Sequence, residues 1–447
     1  MKDPKEILTL LDRLIGKALA AGADAADALF AQGASLSLAY RLGEREKLSR
    51  AESTDLGLRV LIGKRQAIVS SSDMSDNALA ELVERAMAMA RTVPEDRFTG
   101  LASPDELATE FPDIEDCDDQ EFAADALAER AKRAEDAARA VPGITNSEGT
   151  EAGWSRGTIA IVGSNGFARS RASSRHWISA AVIAGKDTAM ERDYDYATTV
   201  FAEDLAAPED IGRSAGEKAV GRLNPQKVKS AQVPIIYDPR VSNTLLGHLA
   251  GAINGDAVAR GTTFLKDKLG KNIFSDAITI VDDPLRRRGL RSRCFDGEGV
   301  QTARLNVVDK GRLTTWILDL RTARQLKLAT TGHASRGTAS PPSPSTSNLY
   351  LEAGKIAPKE LMADIKTGFY VTELMGFGIN GVTGDYSRGA SGFWIENGDI
   401  AYPVTEVTIA GNLKDMFARL TAADDLEFRY GTNAPTLRVD GMTVAGR

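Results

Sequence analysis

Six glycines fall between positions 376 and 392, at Gly376, Gly378, Gly381, Gly384, Gly389 and Gly392. The first three have the GxGxxG spacing of a dinucleotide-binding turn. That turn works only when a strand leads in and a helix leads out, because the helix N-terminus holds the pyrophosphate. No helix can follow here. Each interior glycine costs a helix about 1 kcal/mol relative to Ala, and the series runs on through Gly392. The stretch Phe369–Trp394 therefore reads as irregular, side-chain-poor backbone lining something, and nucleotide binding at this point is excluded.

The chain has 447 residues, enough for two or three domains. Its make-up is that of a globular protein, 43% hydrophobic and 26% charged. A net charge of -7 opposes generic nucleic-acid binding through a broad basic field. No apolar run approaches the roughly 18 residues that cross a bilayer, and Asp3 and Glu6 interrupt any signal-peptide core. Two cysteines, Cys117 and Cys294, give neither a disulfide framework nor a CxxC metal knuckle. A cytoplasmic protein is expected.

The pattern along the chain is α+β. An amphipathic helix is predicted over 5–22, with Ile7, Leu10, Leu11, Leu14, Ile15 and Ala18 on one stripe and Gly22 as its stop. Leu36, Leu38, Tyr40 and Leu42 alternate as a strand, Gly43 turns the chain, and further strands are predicted near 47–53, 56–62 and 67–72. A helix over 76–92 ends before Pro94 and completes a helix–sheet–helix domain, 1–110. The acidic stretch Phe111–Glu121 reads as a solvated linker, or as the start of a helix over 120–140, whose dipole favours negative charge there. Strand-like pieces broken by glycines then run from Ile144 to Ala184, with Ser164-Asn165-Gly166 as a hairpin turn. A helix at 208–221 closes a central α+β segment, 111–228. The remainder, 229–447, opens on the buried strand Val233–Tyr237. Asp238 and Pro239 then cap a helix running to Ala252. Short strands and Gly turns follow, with a Pro/Ser-rich loop at Thr338–Ser347.

Candidate chemistry is sparse. His176, His248 and His333 fall on a strand, a helix and a loop, and no pair has a ligand spacing such as i, i+4. Each reads first as a structural histidine. The nucleophile elbow GxSxG is absent: the strings around Ser387 and Ser391 each lack one glycine and sit on no strand-to-helix turn. Arg286, Arg287, Arg288, Arg291 and Arg293 form the one dense basic cluster. A phosphate-binding patch is one reading of it; with no interleaved aromatics and Asp282-Asp283 just before it, a solvated loop or an interface salt-bridge set is favoured. Asp296 and Glu298 lie in an acidic Gly turn whose spacing fits no EF-hand.

Several segments together make the chain recognisable: Leu245–Asp256, Arg260-Gly261-Thr262, Phe295–Val300, Thr331-Gly332, Gly376–Trp394, Glu396–Val404 and Glu406–Leu413. They resemble the TldD/PmbA family, and its TldE (PmbA) branch in particular. The likeness is densest over 233–415. It implies an N-terminal helix–sheet–helix domain plus a β-rich C-terminal domain of the TldD/PmbA type. It also implies a heteromeric zinc metalloprotease whose TldD-type subunit carries a helical His-Glu-x-x-x-His, two imidazoles and a general-base carboxylate about one turn apart. Aligned on Gly255-Asp256, those three positions hold Leu246, Gly247 and Gly251 here, and the family's C-terminal Cys ligand has no counterpart after Cys294.

The resemblance thus implies a subunit without catalytic or metal-binding residues of its own. Zinc is expected in a TldD-like partner, with which this chain is expected to form a heterodimer enclosing a chamber for unfolded or extended peptides; whether it forms a homodimer when alone is left open. Candidates for the substrate channel or the subunit interface are Asn254, Asp256, Arg260, Gly376, Gly378, Gly381, Gly384, Tyr386, Arg388, Ser391 and Trp394. Two other functions remain open: an autonomous metallopeptidase using the three histidines, and a regulatory binding protein (a gyrase or antitoxin modulator) that acts without proteolysis.

Overall fold

The computed structural model describes residues 2–447. Helix α1 (Pro4–Ala20) starts where Asp3 accepts the Lys5 N–H and Pro4 takes the first turn; it ends at Gly22, whose φ of +96° suits only glycine. Strand β1 (Ala25–Arg41) turns through Leu42 and Gly43, both at positive φ, into β2 (Glu44–Ile62). The strands predicted separately at 47–53 and 56–62 are one 19-residue strand. Ser53-Thr54-Asp55 resembles a turn locally, but pairing with β1 holds it extended throughout. β3 (Arg65–Ser71) and α2 (Asp76–Thr92) follow, then α3 (Ala124–Arg139).

The glycines between Ile144 and Ala184 do not break that segment either. β4 (Ile144–Gly163) and β5 (Ala168–Ala184) are continuous, joined at the expected turn, and β6 (Glu191–Thr199) and α4 (Pro208–Gly221) complete this part. Glycine permits rather than enforces a bend; at Gly153 it lets the Trp177 ring lie where a Cβ would stand, 2.3 Å from the nearest ring atom. The six strands form one antiparallel sheet, β3-β2-β1-β4-β5-β6. Segments 1–110 and 111–228 therefore share a sheet.

Period-2 alternation gives that sheet two faces. Ala26, Ala28, Phe30, Leu56, Leu58 and Val60 turn toward α1 and α2, while Leu38, Tyr40 and Trp154 turn toward α3. Ile178, Ala180 and Val182 pack with α3 and α4. The opposite face carries Leu29, Ile161 and Phe167, which pack on Phe295 of the C-terminal half. Arg59, buried on this face, bonds Asp27, which also accepts from Arg336 at 2.7 Å. The acidic stretch 111–121 is no free linker. Glu115 pairs with Arg288 at 2.6 Å, Asp118 lies 3.2 Å from His176, and Asp119 pairs with Arg156 at 2.5 Å. Interleaved acids on an extended strap thus meet basic and imidazole groups on both halves.

The C-terminal half is larger and β-rich, giving an α+β architecture. β7 (Ala231–Tyr237) leads into α5 (Pro239–Ala252), capped by Asp238 as expected, and α6 (Gly255–Ala259). The smaller elements are β8 (Ile280–Asp282), β9 (Leu305–Asp309), β10 (Arg312–Leu313), α7 (Leu320–Leu326), β11 (Ala334–Ser335), β12 (Ser343–Pro344), β13 (Leu349–Leu351) and α8 (Pro358–Met362). β14 (Thr367–Ile379), β15 (Asp385–Glu396) and β16 (Asp399–Asn412) follow, then α9 (Leu413–Ala418), β17 (Leu420–Ala422), β18 (Thr432–Asn433) and β19 (Leu437–Ala445). The main sheet runs β16-β15-β14-β7-β19-β17, and a further β16–β19 pairing brings it back on itself. Its core joins α5 (Val241, Leu245, Leu249) to Ile235, Phe369, Trp394, Ile409 and Val444.

The glycine-rich stretch is no irregular backbone: it is the β14–β15 hairpin. Exclusion of a helix was correct. The expectation of irregularity was not, because the glycines stand at bulges and close approaches within paired strands. Register slips between Val371 and Glu373 and between Met375 and Gly378. A Cβ on Gly378 would lie 2.2 Å from the Ser387 carbonyl oxygen, and one on Gly392 1.9 Å from that of Tyr370. No helix among the described residues is long and apolar enough to cross a membrane.

Candidate functional site

Helix α5 and the β14–β15 hairpin adjoin. Leu245, Leu246 and Leu249 turn into the core, and the solvent side of the helix carries Gly247 and Gly251, where a Cβ would meet nothing within 4 Å. His248 lies between these sides, its ring edge-on to Tyr386 of β15 with centroids 5.8 Å apart. Its Nε2 is buried without a hydrogen-bond partner. Burial, and then the nearby Arg388 charge, lower the imidazole to about 4, so it is neutral near pH 7. Burial likewise pushes the Tyr386 phenol up to about 12.

The hairpin is anchored at its turn and open along its outer length. Asn380 Oδ1 accepts from Val382 N (2.9 Å) and Thr383 N (3.2 Å). The Gly381 carbonyl accepts from Phe264 N at 3.0 Å, and that of Gly384, at φ +86°, from Leu413 N at 2.7 Å. Arg388 Nε donates to the Met375 carbonyl at 3.1 Å across the bulge. Beyond these ties, Phe377 is 97% exposed, with Val382 at 56% and Met375 at 45%. An almost fully exposed phenylalanine on backbone held this firmly is a surface that another surface would bury.

The remaining candidates separate. Gly376 and Gly381 face open space, with Gly376 at φ +76°. Ser391 and Trp394 are buried, Trp394 against Phe369 in the core. Asn254 caps α6 through the Asp256 N–H (2.9 Å) and donates to the Pro344 carbonyl (2.8 Å). Asp256 meets Arg321 at 3.3 Å, which reaches Asp96 at 2.7 Å, and Arg260 is the exposed cap that ends α6. Of these three, Asp256 reaches the seam with the N-terminal half, through Arg321.

The zinc that the resemblance implies does not fit α5: the chain offers one imidazole there, flanked by glycines. The other histidines are engaged elsewhere. His176 is buried beside Asp118 and Phe122. His333 is buried with Nε2 2.9 Å from Asp282 and Nδ1 2.6 Å from the Thr331 carbonyl. Among the described residues, no group of three or more His, Cys, Asp or Glu side chains is placed to hold a metal ion.

Sequence reasoning missed the seam between the halves. Asp296 accepts from the N–H groups of Glu298, Val300 and Ala334, and Glu298 from that of Leu320. Burial, followed by the opposing pull of Arg59 and the push of Asp296, sets the Glu298 carboxyl at about 8. Alternating placement of Asp27 and Arg59 among apolar strand residues was the available signal: a charge on one face of a strand whose other face is core needs a partner.

Three family models match the sequence: PmbA/TldA metallopeptidase domain 1 over residues 26–90, the central domain over 117–223 and the C-terminal domain over 230–446. The chain is 38% identical over 443 residues to a metalloprotease PmbA of Escherichia coli O157:H7, covering 99% of this chain and 95% of that protein. It is 38% identical over 413 residues to a PmbA homologue of Haemophilus influenzae, covering 92% and 90%. Among solved structures, a candidate modulator of DNA gyrase from Bacteroides thetaiotaomicron superposes with a TM-score of 0.91 at 27% identity over 98% of both chains. TldE from Thermococcus kodakarensis does so at 0.87 and 22% identity, covering 97% of this chain and 99% of that one, a likeness of fold.

Proposed function

This chain belongs to the PmbA/TldD metallopeptidase family, and from that premise we propose that it is the subunit without metal in a heteromeric zinc metalloprotease. Its partner is a TldD-like chain that holds the zinc, and the pair acts on unfolded or extended peptides. One observation carries the reading: the solvent side of α5 is bare. Where the catalytic branch of the family places an imidazole and a carboxylate on that helix, this chain has Gly251 and Gly247, and the Leu246 side chain points into the core.

The hairpin supplies the second half of the proposal. Phe377, Met375 and Val382 offer an apolar contact on a rigid support, the arrangement expected of an interface anchor. The backbone beside it is rich in glycine and lets an extended peptide approach closely, with main-chain hydrogen bonds giving affinity at low sequence preference. Co-purification with a TldD-like zinc-binding homologue, followed by metal analysis per chain, tests this. The expected result is an equimolar complex that cleaves an unfolded peptide and holds one zinc per pair, with neither zinc nor activity in this chain alone. Stoichiometric zinc and peptidase activity in the isolated chain would refute it.

A further inference from the structure

The arginine cluster divides. Arg287 and Arg288 turn outward to Glu115, and Arg286 stacks on Phe428, its guanidinium carbon 3.3 Å from the ring centroid. Arg291 and Arg293 turn to the other side of their loop. There they meet Arg171 and Arg175, four residues apart on β5 and so on the same strand face, the one that looks toward the C-terminal half. The four side chains line a cavity of about 340 Å³ between the halves, with Asp116 its one acidic wall residue.

Arg291 is exposed, but the partly buried guanidiniums of Arg171, Arg175 and Arg293 lack the partners that buried charges require. Among the described residues, none of the four lies within 4.0 Å of a carboxylate, whereas Arg59, Arg288 and Arg336 all do. Among the described residues Arg171 has no side-chain hydrogen-bond partner. Arg175 donates to the carbonyls of Ser174 and Leu290, and Arg293 to that of Ser345 at 3.0 Å, with its Nε buried and unpaired. Arg171 and Arg175 are held below the usual arginine range first by burial and then by a neighbouring arginine, against the pull of Asp116; Arg293 is held below it by burial, against the pull of Asp296 and Asp282. Burial also raises the Asp116 carboxyl, which weakens it as a counter-charge. Like charges converging on one half-buried space raise the energy of the fold unless an anion joins them.

We propose that this cavity is a binding site for a pyrophosphate group, free or carried as an ester by a small molecule. The charge count selects the class. Along the cavity wall four guanidiniums face the single carboxylate of Asp116, with Asp296 and Asp282 acting on Arg293 from outside the lining, which leaves at most about three positive charges; a peptide carboxylate or a monoester phosphate would balance one or two of them, and a pyrophosphate balances the set. No aromatic residue lines the cavity, so nothing in it would stack a nucleobase, and recognition rests on the phosphoryl oxygens.

Titration calorimetry of the full chain with inorganic pyrophosphate, orthophosphate, acetate and ADP tests it. Pyrophosphate is expected to bind at least tenfold more tightly than orthophosphate, with acetate giving no heat. ADP binding as tightly as pyrophosphate marks an ester source; ADP failing while pyrophosphate binds marks the free anion. Arg171→Gln and Arg293→Gln should each weaken pyrophosphate tenfold or more, and Arg287→Gln, outside the cavity, less than twofold. Melting without ligand gives a second reading: removing one of four crowded like charges should hold or raise the melting temperature of Arg171→Gln. No pyrophosphate heat, an equal loss in Arg287→Gln, or a lowered melting temperature with unchanged affinity would overturn the proposal.

Discussion

Two hairpins of this chain are built alike and end differently. The β1–β2 hairpin closes through Leu42 and Gly43, and the Glu135 carboxylate of α3 accepts both turn amides, at 2.8 and 3.0 Å. Its outer strand is mostly charged and exposed, Glu44, Arg45, Glu46 and Lys47, and Arg45 pairs with Asp125 at 2.9 Å. This hairpin is bound to its own chain and solvated where it ends. The β14–β15 hairpin has an equally fixed turn, yet it offers Met375, Phe377 and Val382 to solvent with no charge among them. A fixed turn is common to both; the first leaves Leu42 and Leu48 half-exposed among charged neighbours, whereas the second presents Phe377, 97% exposed, with no charge beside it. Fixing a bare phenylalanine in place lowers the ordering cost of binding, which is why the second hairpin, rather than the first, is the one proposed for the subunit contact.

The sharpest break in that comparison comes from the glycines. Gly392→Val should lower stability by about 3 kcal/mol or more, because its Cβ would stand 1.9 Å from the Tyr370 carbonyl oxygen in a buried strand. Gly381→Val, at the turn, should stay within about 0.5 kcal/mol, since a Cβ there meets nothing within 4 Å. Chemical denaturation of both separates glycines that serve the fold from those that leave the surface bare; equal losses would mean that the hairpin's glycines act as one set. Next in size is Phe377→Asp, expected to weaken assembly with the zinc-bearing partner by about 2 kcal/mol, roughly thirtyfold, while leaving melting unchanged. Lys47→Asp on the first hairpin should change assembly less than twofold. Matching effects in a binding titration would remove the distinction between the two.

The sequence made the helices plain and hid the shape of the sheets. α2, α4 and α5 stand where apolar periodicity, Pro at the first turn and side-chain caps put them, since these signals are local. The long strands β2 and β4 read as fragments because Ser53-Thr54-Asp55 and the glycines at 153 and 157 are held extended by neighbours distant in sequence, while Gly149, at φ +113°, forms a bulge without ending the strand. The bare positions 247 and 251 were legible through resemblance alone; that they face open space required the fold. The arginine cavity was illegible for the same reason as the sheet. Arg171 and Arg175 lie over a hundred residues from Arg291 and Arg293, and only the contact between the halves shows that two of the five clustered arginines face inward.

The smallest effect concerns the underside of the second hairpin. His248 packs on Tyr386 there, and its folded value of about 4 lies below the ordinary 6.5. Between those values the unfolded chain binds more protons than the folded one, so the imidazole's contribution is complete above about pH 6.5 and is lost as pH falls toward 4. The slope cannot exceed about 1.4 kcal/mol per pH unit for one group. His248→Gln removes the titration while keeping a polar side chain of similar length. Its stability relative to the parent should therefore rise on acidification from pH 7 to 5, and hold constant between pH 7 and 9. Urea unfolding at each pH measures the difference. If the curves for His248→Gln and the parent run parallel from pH 7 to 5, the ring is solvated when the chain is folded, and the hairpin is less firmly seated on α5 than its hydrogen bonds indicate.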